Sequence, residues 1–280
     1  MAIDWEVEYN NRARVPEHPE IFARWQREAA AYRAETTAQG RAEIGLKYGP
    51  SARQTIDLFK PNGGDASAPL AMFVHGGYWR SLEPASFSQM ARGMNAHGVT
   101  VAVSGYDLCP QVSIGQIIEQ TQAACLFLWK RFGRRIMVSG HSAGGHLAAC
   151  MVATQWKKLD SSAPADLAPA GYAISGVHDL APLLHLAGNA EFKLDAAEAR
   201  RISPLYWPVM RGLALDAVVG GDESSEFLRQ SKIIADDWRE RGVETRYEAI
   251  PGMNHFTICD AMSNPGSAMT ARLVALCART

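Results

Sequence analysis

The chemistry in this sequence centres on one hydroxyl. Gly140-His141-Ser142-Ala143-Gly144 has the form G-x-S-x-G. The apolar run Arg135–Val138 precedes it, and Ala143–Trp156 after it reads as a helix, so the serine falls on a strand-to-helix turn. A serine held in such a turn has a strained backbone, and flanking glycines relieve the crowding. The positive end of the helix dipole lies beside it and favours negative charge. These features suit the nucleophile of an acyl transfer. The competing reading is a glycine-rich turn with an idle serine.

A hydroxyl needs a base to attack near neutral pH. Two downstream histidines are candidates, His178 in Ser175-Gly176-Val177-His178-Asp179 and His255 in Pro251-Gly252-Met253-Asn254-His255-Phe256. His255 falls between the last strand and the C-terminal helix, where a loop can carry it to the serine. His178 is expected to line the pocket or to pack locally. With a nucleophile of this type the acid lies between serine and histidine in the chain. It should follow the strand Ala214–Val219, where Gly220-Gly221-Asp222-Glu223-Ser224-Ser225-Glu226 offers three carboxylates. Glu226 suits the first turn of the next helix, where it complements the dipole. Asp222 and Glu223 remain open, because either can orient an imidazole and stabilise its charged form.

The tetrahedral intermediate needs donors for its oxyanion. His75-Gly76-Gly77-Tyr78-Trp79 follows the short strand Leu70–Val74. Gly76, Gly77 and Ala143 are the expected N–H donors, and such a donor is worth about 3–4 kcal/mol in the transition state. His75 is read as organising the loop. Tyr78 and Trp79 are expected to form an aromatic wall beside the acyl group, with core packing as the alternative.

These residues need a scaffold, and the alternation of elements supplies one. Strands are expected at Arg53–Phe59, Leu70–Val74, Val99–Val103, Arg135–Val138, Gly171–Ile174, Ala214–Val219 and Thr245–Ile250, the first ended by Pro61-Asn62-Gly63-Gly64. Helices are expected at Phe87–Ala96, Gly115–Phe132, Ala143–Trp156, Glu226–Arg241 and Ala268–Cys277. Apolar strands alternating with helices imply an α/β fold, with a mostly parallel central sheet covered on both faces. One domain over 1–280 is the simplest division. An N-terminal helical extension (about 1–40) carries Ile21, Phe22, Trp25, Ala29 and Tyr32 at helical spacing, with Gly40 as its stop. A long interruption at 182–207 reads as a small helical lid.

Composition narrows the function. The 28 basic and 29 acidic residues leave a net charge of −1, which argues against nucleic acid or an anionic membrane as the main partner. No apolar run approaches the roughly 20 residues that span a bilayer. The opening residues Met1–Glu6 lack a basic-then-apolar pattern, which predicts no secretory signal. Cys109, Cys125, Cys150, Cys259 and Cys277 are odd in number and widely spaced, which favours reduced thiols in a cytoplasmic protein over disulfides or a zinc site. The sequence is silent on oligomeric state and leaves a homodimer open.

The combined motifs resemble a known family. H-G-G-Y-W, G-H-S-A-G-G-H-L-A, S-G-V-H-D-L, G-G-D-E-S-S-E-F-L-R-Q-S and N-H-F, in this order over about residues 45–260, are similar to the kynurenine formamidase (arylformamidase) branch of the α/β-hydrolase fold, close to the hormone-sensitive-lipase-like esterases. Tyr9-Asn10 and the helix after them look similar too. The resemblance implies hydrolysis of a formyl group from an aryl amide such as N-formylkynurenine, through an acyl-enzyme on Ser142, without metal or organic cofactor. Animal members carry an aspartate just before Ser-x-Glu-Phe, and counting back from Glu226-Phe227 places that position on Glu223 rather than Asp222. His178 departs from the apolar or aromatic residue usual in its motif. Two other readings are a broad short-chain carboxylesterase or thioesterase acting on short-acyl esters, and a non-catalytic ligand-binding member of the fold.

Overall fold

The computed structural model describes residues 3–63 and 67–280; Met1, Ala2 and the Gly64 end of the expected turn lie outside this range. Three helices open the chain: α1 Trp5–Tyr9, α2 Asn11–Arg14 and α3 His18–Ala38. In α3 the residues Ile21, Trp25, Ala29 and Tyr32 are buried, which is the stripe that helical spacing predicts. Trp25 packs 5.7 Å from Phe87 and Tyr32 5.7 Å from Phe59, so this stripe lies on the body of the fold. The helix stops at Gly40, whose φ of +68° costs glycine little.

The rest alternates strands and helices. In chain order these are β1 Ala42–Lys47, β2 Thr55–Phe59, β3 Leu70–Val74, α4 Arg92–Ala96, β4 Thr100–Ser104, α5 Ile114–Phe132, β5 Met137–His141, α6 Ala143–Ala153, α7 Trp156–Leu159 and β6 Ala170–Ile174. A helical stretch follows, with α8 Asn189–Phe192 and α9 Ala196–Arg201 between two short 3-10 turns. Then come β7 Ala214–Gly220, α10 Ser225–Glu240, β8 Glu244–Ile250, α11 Asp260–Ser263 and α12 Ala268–Cys277. The eight strands form one sheet in the order β1-β2-β4-β3-β5-β6-β7-β8. β2 pairs antiparallel with both β1 and β4, and the remaining pairs are parallel.

Every residue of β3, β4, β5, β6 and β7 is buried, as a parallel sheet covered on both faces requires. Asp216 in the middle of β7 is the charged exception, and Arg272 of α12 satisfies it with two hydrogen bonds at 2.7 and 3.0 Å. Parallel strands align their C-terminal ends along one edge, where ligands of such sheets sit. The loops leaving β3, β5, β6, β7 and β8 at that edge carry Gly77, Ser142, Ser175, Glu223 and His255.

Six of the seven expected strands lie within two residues of their expected bounds, and β5, expected at Arg135–Val138, runs instead from Met137 to His141, three residues further into the elbow. β1 was not expected. Its sequence A-E-I-G-L-K has no clean alternation, its residues are exposed or half-buried, and Gly45, at φ +71°, sits at a shift in its pairing with β2. The helix expected over Ala143–Trp156 ends at Ala153, and Trp156 opens α7 instead. Among the described residues no helix is long and apolar enough to cross a membrane.

Candidate active site

Ser142 joins β5 directly to α6 with φ +56° and ψ −118°, a conformation that ordinary side chains avoid. The turn persists because its surroundings fix it. The Ser142 N–H donates to the Ile174 carbonyl of β6 at 2.8 Å. A Cβ on Gly140 would lie 2.1 Å from the Gly144 carbonyl oxygen, and one on Gly144 would lie 1.9 Å from that of Val74. The two outer glycines of the motif are therefore required by backbone contact, and the serine is held at the start of a helix.

His255 reaches this point on the loop after β8. The Asn254 side chain shapes that loop, with Oδ1 accepting from the N–H groups of Phe256 and Thr257, both at 3.0 Å. His255 Nδ1 donates to Glu223 Oε2 at 2.6 Å. The other oxygen, Oε1, accepts from the Ser175 hydroxyl at 2.5 Å and the Gly220 N–H at 2.7 Å. The Glu223 side chain is fully buried, and these donors stand in for the water it has lost. Asp222, the other carboxylate of the loop, is exposed and contacts the Met253 carbonyl through its own N–H only. The imidazole of His255 is packed by His141 at 4.7 Å, Phe227 at 4.6 Å and Phe256 at 5.3 Å.

Ser142, His141 and His255 open together into one cavity of about 380 Å³. Gly77 and Tyr78 line it as well. The Gly77 carbonyl is fixed by the N–H of Arg80 at 3.1 Å and the hydroxyl of Ser81 at 2.9 Å. The N–H groups of Gly77, Tyr78 and Ala143 make no hydrogen bond to another described residue, and Gly77 and Tyr78 line the cavity. Gly76 lies behind them. A Cβ there would meet Ser142 Cβ at 3.0 Å and the His141 carbonyl at 2.7 Å, so only glycine lets the loop approach the elbow this closely. His75 is fully buried, stacked 4.3 Å from Tyr106 with its Nδ1 on the Gly76 carbonyl at 2.7 Å, and it holds the loop. Burial pushes its pKa down to about 4.

A protein-family model described as alpha/beta hydrolase fold matches residues 71–258, well over half of the chain. The chain belongs to this family. The kynurenine formamidase of Danio rerio is 24% identical over 249 residues, covering 86% of this chain and 83% of its own. That of Drosophila melanogaster is 28% identical over 237 residues, covering 80% and 78%. A solved structure from Silicibacter sp., named as a candidate thioesterase, is 31% identical and superimposes with a TM-score of 0.83 over 96% of this chain and 98% of its own.

In this α/β-hydrolase Tyr78 lines the cavity, whereas Trp79 and His178 do not. Tyr78 and Trp79 both have left-handed backbones, at φ +52° and +53°, and the tight turn sends their side chains apart. Tyr78 lines the cavity, and its hydroxyl donates to the Tyr9 carbonyl. Trp79 is fully buried, edge-on to His146 at 5.2 Å and to Phe192 at 5.9 Å. The packing alternative holds for Trp79 alone. His178 is also fully buried and does not reach the cavity. The backbone of Gly176 lies directly against Gly145 of α6, so the chain dives beneath that helix and takes His178 with it. Burial lowers its pKa to about 3, and the charge of nearby His146 adds to this.

The walls that the sequence did not specify come from the N-terminal helices and the helical stretch after β6. Tyr9, Phe22, Trp25, Leu186 and Phe192 face the cavity. Glu8 ties α1 to the start of α10, accepting from the Ser225 hydroxyl and the Glu226 N–H, both at 2.9 Å. The Tyr9 hydroxyl donates to Glu226 Oε2 at 3.1 Å and accepts from Gln230 at 2.9 Å. Trp5 stacks on His185 at 5.7 Å, and Glu6 accepts the Ala187 N–H. The sequence signals for this wall were the apolar stripe of α3, the interruption at 182–207 and the likeness around Tyr9-Asn10, none of which assigned individual residues to the wall.

Proposed function

We propose that this hydrolase removes a small acyl group, formyl above all, from an aryl amide such as N-formylkynurenine by way of an acyl-serine. The observation that carries the reading is the 2.6 Å contact of Glu223 with a His255 that opens into the same cavity as Ser142. Its aromatic wall of Trp25, Phe22, Tyr78 and Phe192 suits an aryl leaving group. The match to kynurenine formamidases over most of the chain supports the same choice.

In the first step His255 takes the Ser142 proton as the hydroxyl oxygen attacks the formyl carbon. Glu223 holds the imidazole so that Nε2 faces the serine, and it stabilises the imidazolium that forms. The N–H groups of Gly77 and Ala143 receive the oxyanion, with Gly76 allowing the loop to press against the elbow. The imidazolium then protonates the departing aniline nitrogen as the carbon–nitrogen bond breaks. In the second step His255 deprotonates water, which attacks the formyl ester, and formate leaves as Ser142 recovers its proton. The helical stretch around 182–207 and the N-terminal extension serve as a lid that excludes bulk water. The five buried, unpaired thiols fit a reducing, cytoplasmic setting.

A second reading, a short-chain esterase or thioesterase, is favoured by the Silicibacter neighbour. The deciding experiment compares kcat/KM for N-formylkynurenine with that for p-nitrophenyl acetate and a short acyl thioester. A ratio strongly in favour of the formamide supports the first reading, and the reverse supports the second. Ser142→Ala should abolish each activity and labelling by a fluorophosphonate probe; retention of either removes the acyl-serine.

A further inference from the structure

Among the described residues four charged side chains other than histidine line the cavity, and their pairing is uneven. Arg80 and Glu191 form an ion pair at 2.7 Å and neutralise each other. Arg12 and Glu6 have no opposite charge as partner among the described residues, although both line the same space. The guanidinium of Arg12 sits over the Phe22 ring at 5.7 Å. None of the Arg12 N–H donors is hydrogen-bonded to another described residue, so they are free for a ligand. Beside it is Asn11, which is 4% exposed and lines the cavity, yet its side-chain amide forms no hydrogen bond to another described residue and its Nδ2 is shut away from solvent. A buried amide left unsatisfied calls for an explanation. Glu6, on the preceding helix α1, accepts the Ala187 N–H and keeps its second oxygen.

A fork of donors and a separate carboxylate, both at one cavity, match a ligand that carries both charges. We infer that the cavity recognises the α-amino-acid head of its substrate, with Arg12 and Asn11 on the carboxylate and Glu6 on the ammonium. The inference deepens the proposed function, since it rests on the aryl leaving group occupying this cavity. Arg12 and Glu6 are exposed at the cavity mouth and Asn11 is buried beside them, so the Arg12–carboxylate contact gains charge and bidentate geometry at the entrance. The acyl group at the far end remains small, and discrimination lies in the leaving group. A substrate lacking the head leaves Arg12 and Asn11 unmatched, which is the condition under which polar sites discriminate strongly.

The test uses four aryl acetates that share one ester and differ in the head: O-acetyl-L-tyrosine, 3-(4-acetoxyphenyl)propionate, O-acetyltyramine and phenyl acetate. In the unaltered enzyme kcat/KM should be highest for O-acetyl-L-tyrosine. Arg12→Ala should lower the ratio of 3-(4-acetoxyphenyl)propionate to phenyl acetate by about tenfold or more, chiefly through KM, with Arg12→Lys restoring part of it. Glu6→Gln should lower the ratio of O-acetyltyramine to phenyl acetate in the same way. If both ratios are unchanged in the variants, the head-binding assignment is wrong. Because the series contains no formamide, a hydrolase that ignores N-formylkynurenine but shows these ratios refutes the formamidase reading and upholds this one.

Discussion

His141 donates from Nε2 to the backbone carbonyl of His255 at 2.7 Å, and the two rings lie 4.7 Å apart. The variable position inside G-x-S-x-G thus holds the loop of the base. A carbonyl only accepts, so the proton sits on Nε2. Burial, and then the charge of His255, push the His141 pKa well below the usual imidazole value, which keeps this donor neutral. We expect His141→Ala to lower kcat about 10- to 100-fold with a small change in KM, because a misplacement of about 1 Å has that effect on a reacting group. His141→Gln, which retains a donor, should recover part of the loss. Steady-state kinetics on one substrate decide it, and equal losses in both variants would falsify the hydrogen-bond explanation.

Glu223 and Asp222 are adjacent in sequence and opposite in environment. The Glu223 carboxylate takes hydrogen bonds from His255, Ser175 and Gly220, whereas Asp222 is exposed. Glu223→Gln should reduce kcat by roughly 10³-fold, since an amide supports the wrong imidazole tautomer. Asp222→Asn should stay within about twofold. Ser175→Ala should show a smaller loss, about tenfold, because one of the donors holding Glu223 is gone. Comparable losses at 222 and 223 would place the acid elsewhere.

The strand ends were legible because continuous apolar runs bounded by glycines specify both a buried strand and its stop. Ser142 follows from the same signal, whereas His255 follows from its place between β8, whose E-T-R-Y-E-A-I is largely polar, and the C-terminal helix. Asp222 and Glu223 could not be separated by patterning, because one residue of offset in a loop exchanges the buried and exposed positions. The Gly220 N–H and the Ser175 hydroxyl, 48 positions away, set that offset. For Trp79 and His178 the sequence could not decide between cavity wall and local packing, because their directions depend on two left-handed residues and on a contact beneath α6, neither of which has a periodic signature. Glu6, Asn11 and Arg12 lie in short polar helices whose relation to the cavity is purely tertiary.

The Gly144 position tests how far the elbow is fixed by its backbone. A methyl group there would overlap the Val74 carbonyl at 1.9 Å, and the His75 carbonyl at 2.8 Å closes the other side. Both obstacles are backbone, so no side chain can move aside. Gly144→Ala should destabilise the protein by more than about 3 kcal/mol or prevent folding. Ala148→Gly, on the same helix, should cost about 1 kcal/mol. Urea midpoints of the two variants check the contrast, and a Gly144→Ala protein of ordinary stability would show that the loop after β3 is free to retreat.

Buried neutral histidines should also make the fold sensitive to acid. Burial lowers the pKa of His75 and His146 to about 4 and that of His178 to about 3, from an ordinary 6.5. Each is therefore depressed in the folded state. The unfolded chain binds a proton as the pH falls below 6.5, and the folded chain does not until its own lower value is reached. The stability each contributes is complete above pH 6.5 and is lost as the pH falls through about 4 for His75 and His146 and about 3 for His178. The slope approaches about 1.4 kcal/mol per pH unit for each histidine within its window. Urea unfolding at pH 8, 6, 5 and 4 should give a plateau at the upper end and a steep fall below pH 6. Since His146 lies on α6 directly after the elbow, and His75 on the loop that faces it, the fall should be accompanied by loss of fluorophosphonate labelling at Ser142. Stability that is flat between pH 8 and pH 4 would mean that these imidazoles are solvated or already charged in the native protein.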